Sequence, residues 1–144
     1  MAALIRRRDP NARKESWAIL YGDVQVGTIG IAAGVPTHGH RWVWRCGLPQ
    51  VIVRDLRTAG AAATFEDGRA DFEAAWSTYL PRCTEADFDE YRRQEAWTRW
   101  KYRMRDAGCR MPTQVPELRS RCFCGTETGV GFEEHVYASH MEAA

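Results

Sequence analysis

The stretch WAILYGDVQVGTIGI, residues 17–31, decides the fold class of this chain. Its two runs, from Trp17 to Tyr21 and from Val24 to Ile31, are rich in β-branched and aromatic side chains, and Gly22 and Asp23 between them suit a two-residue reversal. Such a pattern predicts a β-hairpin. Working outward, a loop with Gly34, Pro36 and Gly39 leads to Arg41, Trp42, Val43, Trp44, Arg45 and Cys46. Side chains alternate along a strand, so Trp42, Trp44 and Cys46 share a core face while Arg41, Val43 and Arg45 share a wet one. Residues 51–53, Val-Ile-Val, form a short fourth strand or resume the third after a Gly-Leu-Pro break.

Thr64 suits a helix N-cap, and Phe65, Phe72, Ala75, Trp76 and Tyr79 recur at helical spacing until Pro81 stops the run. The expected fold is therefore α+β: a three- or four-stranded antiparallel sheet covered by this helix, with Trp17, Trp42 or Trp44 in the core. This element order resembles the double-stranded RNA-binding fold, which places basic residues at the start of its last helix. Here Glu66 and Asp67 stand at that start and would repel phosphate. His38 and His40 share the parity of Cys46, but six residues of extended strand span about 20 Å, which no single ion bridges. Both histidines read as polar loop residues at a strand entry.

Thr84 opens a second long helix with four carboxylates, Glu85, Asp87, Asp89 and Glu90, in its first turns, where the helix dipole favours them. At about 100° per residue, Arg92, Arg99 and Arg103 form one stripe, and Ala96, Trp97, Trp100, Met104 and Ala107 form the adjacent apolar face. Gly108 ends the helix. The stripe suits phosphate contact, yet Glu95 with Arg99 and Asp89 with Arg92 and Arg93 equally suit a solvated face braced by ion pairs. At the N-terminus, Arg6, Arg7, Arg8, Arg13 and Lys14 outnumber Asp9 and Glu15, and Pro10 and Asn11 interrupt any regular pattern. Residues 1–16 thus read as a flexible basic arm, solvated or able to follow a phosphate backbone. The remaining divisions expected are a sheet-and-helix domain over 17–110, a Pro-bounded linker over 111–120 and a tail over 121–144.

That tail, RCFCGTETGVGFEEHVYASH over residues 121–140, brings Cys122, Cys124, His135 and His140 into nineteen residues. A divalent zinc ion takes four borderline or soft ligands in a tetrahedron, and a turn with two thiolates facing a helix with two imidazoles supplies them. On these residues the tail resembles a C2H2-type zinc finger, and more loosely the bacterial Ros-type finger, with Phe132 at the apolar position before the first histidine. It departs from that pattern in its C-x-C spacing, its ten-residue span, and Thr126 and Thr128 where such fingers carry an aromatic. The alternative is two small buried cysteines and two solvated histidines. A closed Cys2His2 set leaves no ligand position for water, so the zinc expected here is structural, not catalytic.

Length and composition fit one globular domain with an appendage: 144 residues, 44% apolar and 27% charged, with a net charge of +1 that gives no global attraction to nucleic acid. Five cysteines make an odd number without a disulfide framework, and neither a signal-peptide core nor a membrane-length apolar run is visible. A cytoplasmic location with reduced thiols is expected. No glycine-rich phosphate loop or serine elbow occurs, Asp71 and Glu73 lack an evident paired acid, and Cys83 and Cys109 read as packed or idle thiols. A non-enzyme is expected. Glu133 and Glu134 sit where a DNA-reading finger presents its base contacts, which disfavours major-groove insertion. The first functional expectation is a protein-interaction or adaptor module braced by zinc. The alternative is a nucleic-acid-associated accessory protein using Arg6, Arg7, Arg8, Arg92, Arg99 and Arg103.

Overall fold

The computed structural model of the protein describes residues 3–34 and 39–141. The architecture is α+β, with a five-stranded antiparallel sheet, three helices and a small second sheet. The chain divides into two compact units, Met1–Phe88 and Asp89–Ala144. The division falls inside the second helix, upstream of the boundary near residue 110 expected from the sequence.

In the N-terminal unit the strands are β1 (Leu4–Arg8), β2 (Ser16–Tyr21), β3 (Val24–Ile31), β4 (Trp42–Cys46) and β5 (Ala59–Ala62), paired in sequence order as a meander. The hairpin of β2 and β3 and the strand β4 lie where expected, and Trp42, Trp44 and Cys46 are buried on one face. Two strands correct the expected count of three or four. The first, β1, comes from the segment read as a flexible arm; Leu4 pairs with Tyr21, Arg6 with Ile19 and Arg8 with Trp17. Charged side chains suit an edge strand because they discourage pairing with another chain. The other is β5, whereas residues 51–53 form no strand. Its sequence, AGAA, has weak strand propensity, but Trp44 lies against Gly60, where a Cβ would meet the indole nitrogen at 2.9 Å. Small residues let the tryptophan lie across the strand.

Val24 and Val26 are both fully buried, as is Ile29, although its parity is opposite. The pairing explains this: Ile19 faces Gly27 but Leu20 faces Gln25, so Val26 is the extra residue of a β-bulge. The bulge switches which parity points inward.

Helix α1 (Phe65–Tyr79) covers this face, with Thr64 Oγ1 accepting the Asp67 amide at 3.1 Å and Phe72, Trp76 and Tyr79 buried beneath. Tyr79 Oη donates to the Val51 carbonyl at 2.6 Å and accepts the Leu48 amide at 2.9 Å. The tyrosine thereby fastens the loop after β4. Close approach of α1 to the sheet depends on Gly27, where a methyl would overlap both the Arg45 carbonyl and the Phe72 ring. Gly27→Ala is therefore expected to destabilise the unit by about 3 kcal/mol, the upper end for overpacking, because a backbone carbonyl cannot yield. Gly68 is the opposite case: a Cβ there would meet Ile29 Cγ2 at 3.6 Å and Ala62 Cβ at 3.8 Å, ordinary contacts. Gly68→Ala should stabilise the helix by about 0.5–1 kcal/mol. Paired denaturation curves of the two variants check both signs.

Helix α2 (Glu85–Asp106) follows a 3-10 turn at Leu80–Arg82, and its first residue-pairs are capped by Thr84, whose hydroxyl accepts the Asp87 amide at 3.3 Å. In the C-terminal unit, Ala96, Trp100 and Met104 of this helix are buried with Cys122, Phe132 and Val136. Ala107 lies beyond the helix end and is exposed, so it leaves the apolar face expected for it. The stretch read as a Pro-bounded linker also packs: Pro112 starts a 3-10 turn, Pro112–Gln114, and is fully buried, and Met111 packs against the same core. A two-stranded hairpin, β6 (Ser120–Arg121) and β7 (Glu127–Thr128), and a short helix α3 (Glu133–Ser139) complete the unit. No helix among the described residues is long and apolar enough to cross a membrane.

Candidate metal centre

The hairpin turn and the short helix set the site. Cys122 begins the turn, its amide donating to the Thr126 carbonyl at 2.8 Å, and the Gly125 amide donates back to the Cys122 carbonyl at 2.8 Å. Gly125, at φ 95°, reverses the chain so that Cys124 returns to the side of Cys122. His135 lies in the first turn of α3. His140, five residues on, would point about 140° away on a regular helix. It instead caps α3 at φ −129° and ψ 24°, and its ring comes within 5.0 Å of the His135 ring.

One ligand atom from each of Cys122, Cys124, His135 and His140 lies within 4.8 Å of the other three. Cys122 Sγ is 3.5 Å from His140 Nε2, Cys124 Sγ is 3.5 Å from His135 Nε2, and the two Nε2 atoms are 3.2 Å apart. Zinc bonds of about 2.3 Å to sulfur and about 2.0 Å to nitrogen place tetrahedral ligands about 3.3–3.8 Å apart. The three short separations fit such edges, and the remaining ones need side-chain movements of about 1 Å to close. Four convergent donors of soft and borderline type therefore fit a metal ion such as zinc.

The surroundings treat the two thiols differently. Thr126 Oγ1 lies 3.4 Å from Cys124 Sγ, and its hydroxyl, followed by the Thr126 backbone amide, draws the Cys124 thiol down to about 5. Cys122 goes the other way: burial raises its pKa, opposed by the Cys124 amide and by Trp100. Trp100 Nε1 donates to Cys122 Sγ at 3.2 Å, so a fully buried indole on α2 steadies the buried ligand. Phe132 stacks on Trp100 with ring centroids 5.1 Å apart. Phe123, between the cysteines, contacts His140 at 4.9 Å and lies under the Arg103 guanidinium at 4.2 Å.

Trp100 was legible in the sequence only as a core residue, and nothing in the sequence pairs it with a cysteine twenty-two positions later. Thr126 stood out as a departure from the finger pattern. Its role as a partner of Cys124 follows from the tight turn.

The arginines expected to contact nucleic acid are shared between the two units. Arg6, Arg7 and Arg8 belong to β1, where Arg6 lies over the Trp17 and Phe65 rings. On α2, Arg92 pairs with Asp89 at 3.0 Å, Arg99 is half-buried, and Arg103 covers Phe123. His40 is exposed and joins no group of three metal-ligating residues among the described residues, while His38 lies outside them. No family model, curated protein or solved structure matches this chain.

Burial sets a wide range of thiol reactivity. Cys46 is pushed up to about 12, chiefly by burial, and burial also raises Cys83. Because the thiolate is the nucleophile and only the N-terminal unit keeps its fold without metal, iodoacetamide at pH 7 should label Cys122 and Cys124 ahead of Cys46 in metal-free protein. Added zinc should protect Cys122 and Cys124 together. Peptide mapping of a labelling time course checks both the order and the protection.

Proposed function

We propose that Cys122, Cys124, His135 and His140 hold one structural zinc ion and that the C-terminal unit is a zinc-braced protein-interaction module. The four converging donor atoms, with separations down to tetrahedral edge lengths, carry the metal assignment. The four protein ligands complete a tetrahedron, so the ion's role is to brace the hairpin against α3. Two charged thiolates and a divalent cation also neutralise one another, which suits a site with one ligand buried.

Support for protein contact comes from the hairpin's outer end. Leu118 and Val130 are 49% and 58% exposed, and Leu118 occupies a left-handed conformation at φ 55°. A non-glycine residue there costs about 1–3 kcal/mol, a strain found at contact sites. Glu117, Glu127 and Glu134 are exposed on the same unit, and they disfavour phosphate as the partner. The test is affinity capture on zinc-loaded full-length protein, followed by reconstitution with the purified partner. Binding should be lost on chelation and in a Leu118→Asp, Val130→Asp variant; partner binding that survives both treatments contradicts the reading.

Attachment to nucleic acid through Arg6, Arg7, Arg8, Arg92, Arg99 and Arg103 is the competing reading, supported by the exposure of Arg7 and Arg8 on an edge strand. The ring contacts of Arg6 and Arg103 and the ion pair of Arg92 weigh against it. It requires binding that falls steeply with salt and weakens when these arginines become alanine.

A further inference from the structure

The N-terminal unit contains a cleft that the metal centre does not use. Helix α1 packs chiefly against β3, β4 and β5. Toward β1 the same sheet face stays partly open, leaving a cavity of about 240 Å³ between β1, β2, β3 and the first turns of α1. Its accessible floor is apolar: half-buried Leu4 and Phe65, above a layer of Ile19, Ile29 and Phe72 that is 5%, 0% and 1% exposed and so closed to a ligand.

Three charged side chains line this cavity: Arg6, Arg69 and Glu73. Arg69 is already paired with Glu66 at 2.9 Å. Arg6 is different. No salt bridge of Arg6 occurs among the described residues. Its guanidinium lies 4.7 Å from the Trp17 ring centroid and 4.8 Å from that of Phe65. The register explains the placement: Arg6 sits directly opposite Ile19, so its side chain leaves the sheet on the face that α1 covers. The two cation–π contacts take part of the guanidinium's surface and leave N–H groups for another partner.

A guanidinium edge presents parallel N–H donors that match a carboxylate, and the adjoining apolar floor matches a hydrocarbon or aromatic body. The volume lies below the roughly 300–1,000 Å³ of drug-sized sites, so the ligand is small. Glu73 offsets the charge of Arg6, so the cleft can balance at most one carboxylate and a dianion is disfavoured. We propose that this cleft binds a small apolar monocarboxylate, with Arg6 as its anchor. The inference concerns the N-terminal unit alone and stands apart from the zinc reading.

The probe is 3-phenylpropionate, titrated into isotope-labelled full-length protein and followed by NMR. Saturable shifts are expected at the Leu4 methyl groups and the Phe65 ring. Arg6→Gln should weaken binding about tenfold or more, the loss expected for one charge-assisted contact. Arg69→Gln should change it by less than about threefold, since that side chain already has a partner. Neutral 3-phenylpropanol on the unaltered protein should bind about tenfold more weakly, which tests the carboxylate contact without a substitution. Absent or non-saturable shifts at these residues overturn the proposal, as does equal binding of the acid and the alcohol.

Discussion

Chelation of the purified protein is expected to unfold the C-terminal unit while leaving the N-terminal unit folded. The buried core of the C-terminal unit is small: Ala96, Trp100, Met104, Cys122, Phe132 and Val136. Its hairpin strands contain two residues each and α3 only seven, too short to persist by helix propensity alone. Zinc at a Cys2His2 site contributes on the order of 10–16 kcal/mol in apparent binding free energy, which becomes folding free energy when the free chain has no preformed site. The N-terminal unit has its own core, including Trp44, Phe72, Trp76 and Tyr79, and no part in the metal. Backbone amide NMR spectra before and after chelation should therefore lose dispersion for residues beyond about 110 and keep it for β2 to α1. Cys122→Ser should reproduce the change without a chelator. A C-terminal unit that keeps its dispersion in both cases would contradict the assigned role of the metal.

The second large effect is expected at Trp100. This side chain is 1% exposed, stacks on Phe132 and donates its indole N–H to Cys122 Sγ. Trp100→Ala removes a buried aromatic ring and should cost about 3–5 kcal/mol. Trp100→Phe separates the two contributions, because it keeps an aromatic ring and loses the donor. Hydrogen bonds to charged groups contribute about 1.5–3 kcal/mol, so the phenylalanine variant should fall between the parent and the alanine variant. With cobalt in place of zinc, the same variant should shift the thiolate-to-metal absorption, which simple loss of packing would leave unmoved. Denaturant midpoints and the cobalt spectrum together check the assignment. A phenylalanine variant with parental stability and spectrum would remove the indole from the account of the site.

Several features were legible in the sequence for identifiable reasons. The hairpin at residues 17–31 carries both β-rich runs and a turn dipeptide, and the burial of Trp42, Trp44 and Cys46 follows directly from alternation. The four converging residues of the tail could be read because their types are uncommon and lie close together in the chain. Other features depend on partners remote in sequence. The LIRRR strand registers locally as charge and becomes a strand only by pairing with β2. The AGAA strand owes its place to an indole lying across it. In β3 the inward parity changes at Val26, a consequence of the partner's register that periodicity within one strand does not carry. The arginine stripe on α2 was visible as a pattern, yet the position of Arg103 over Phe123 depends on how the tail folds back.

If one zinc ion organises the C-terminal unit, metal content reports it most directly. Elemental analysis of freshly reduced protein, purified without a histidine tag, should give one equivalent of zinc per chain. A Cys122→Ser, Cys124→Ser variant prepared in parallel should give none. A reduced, folded protein without stoichiometric zinc, or a double variant that retains it, would contradict the assignment.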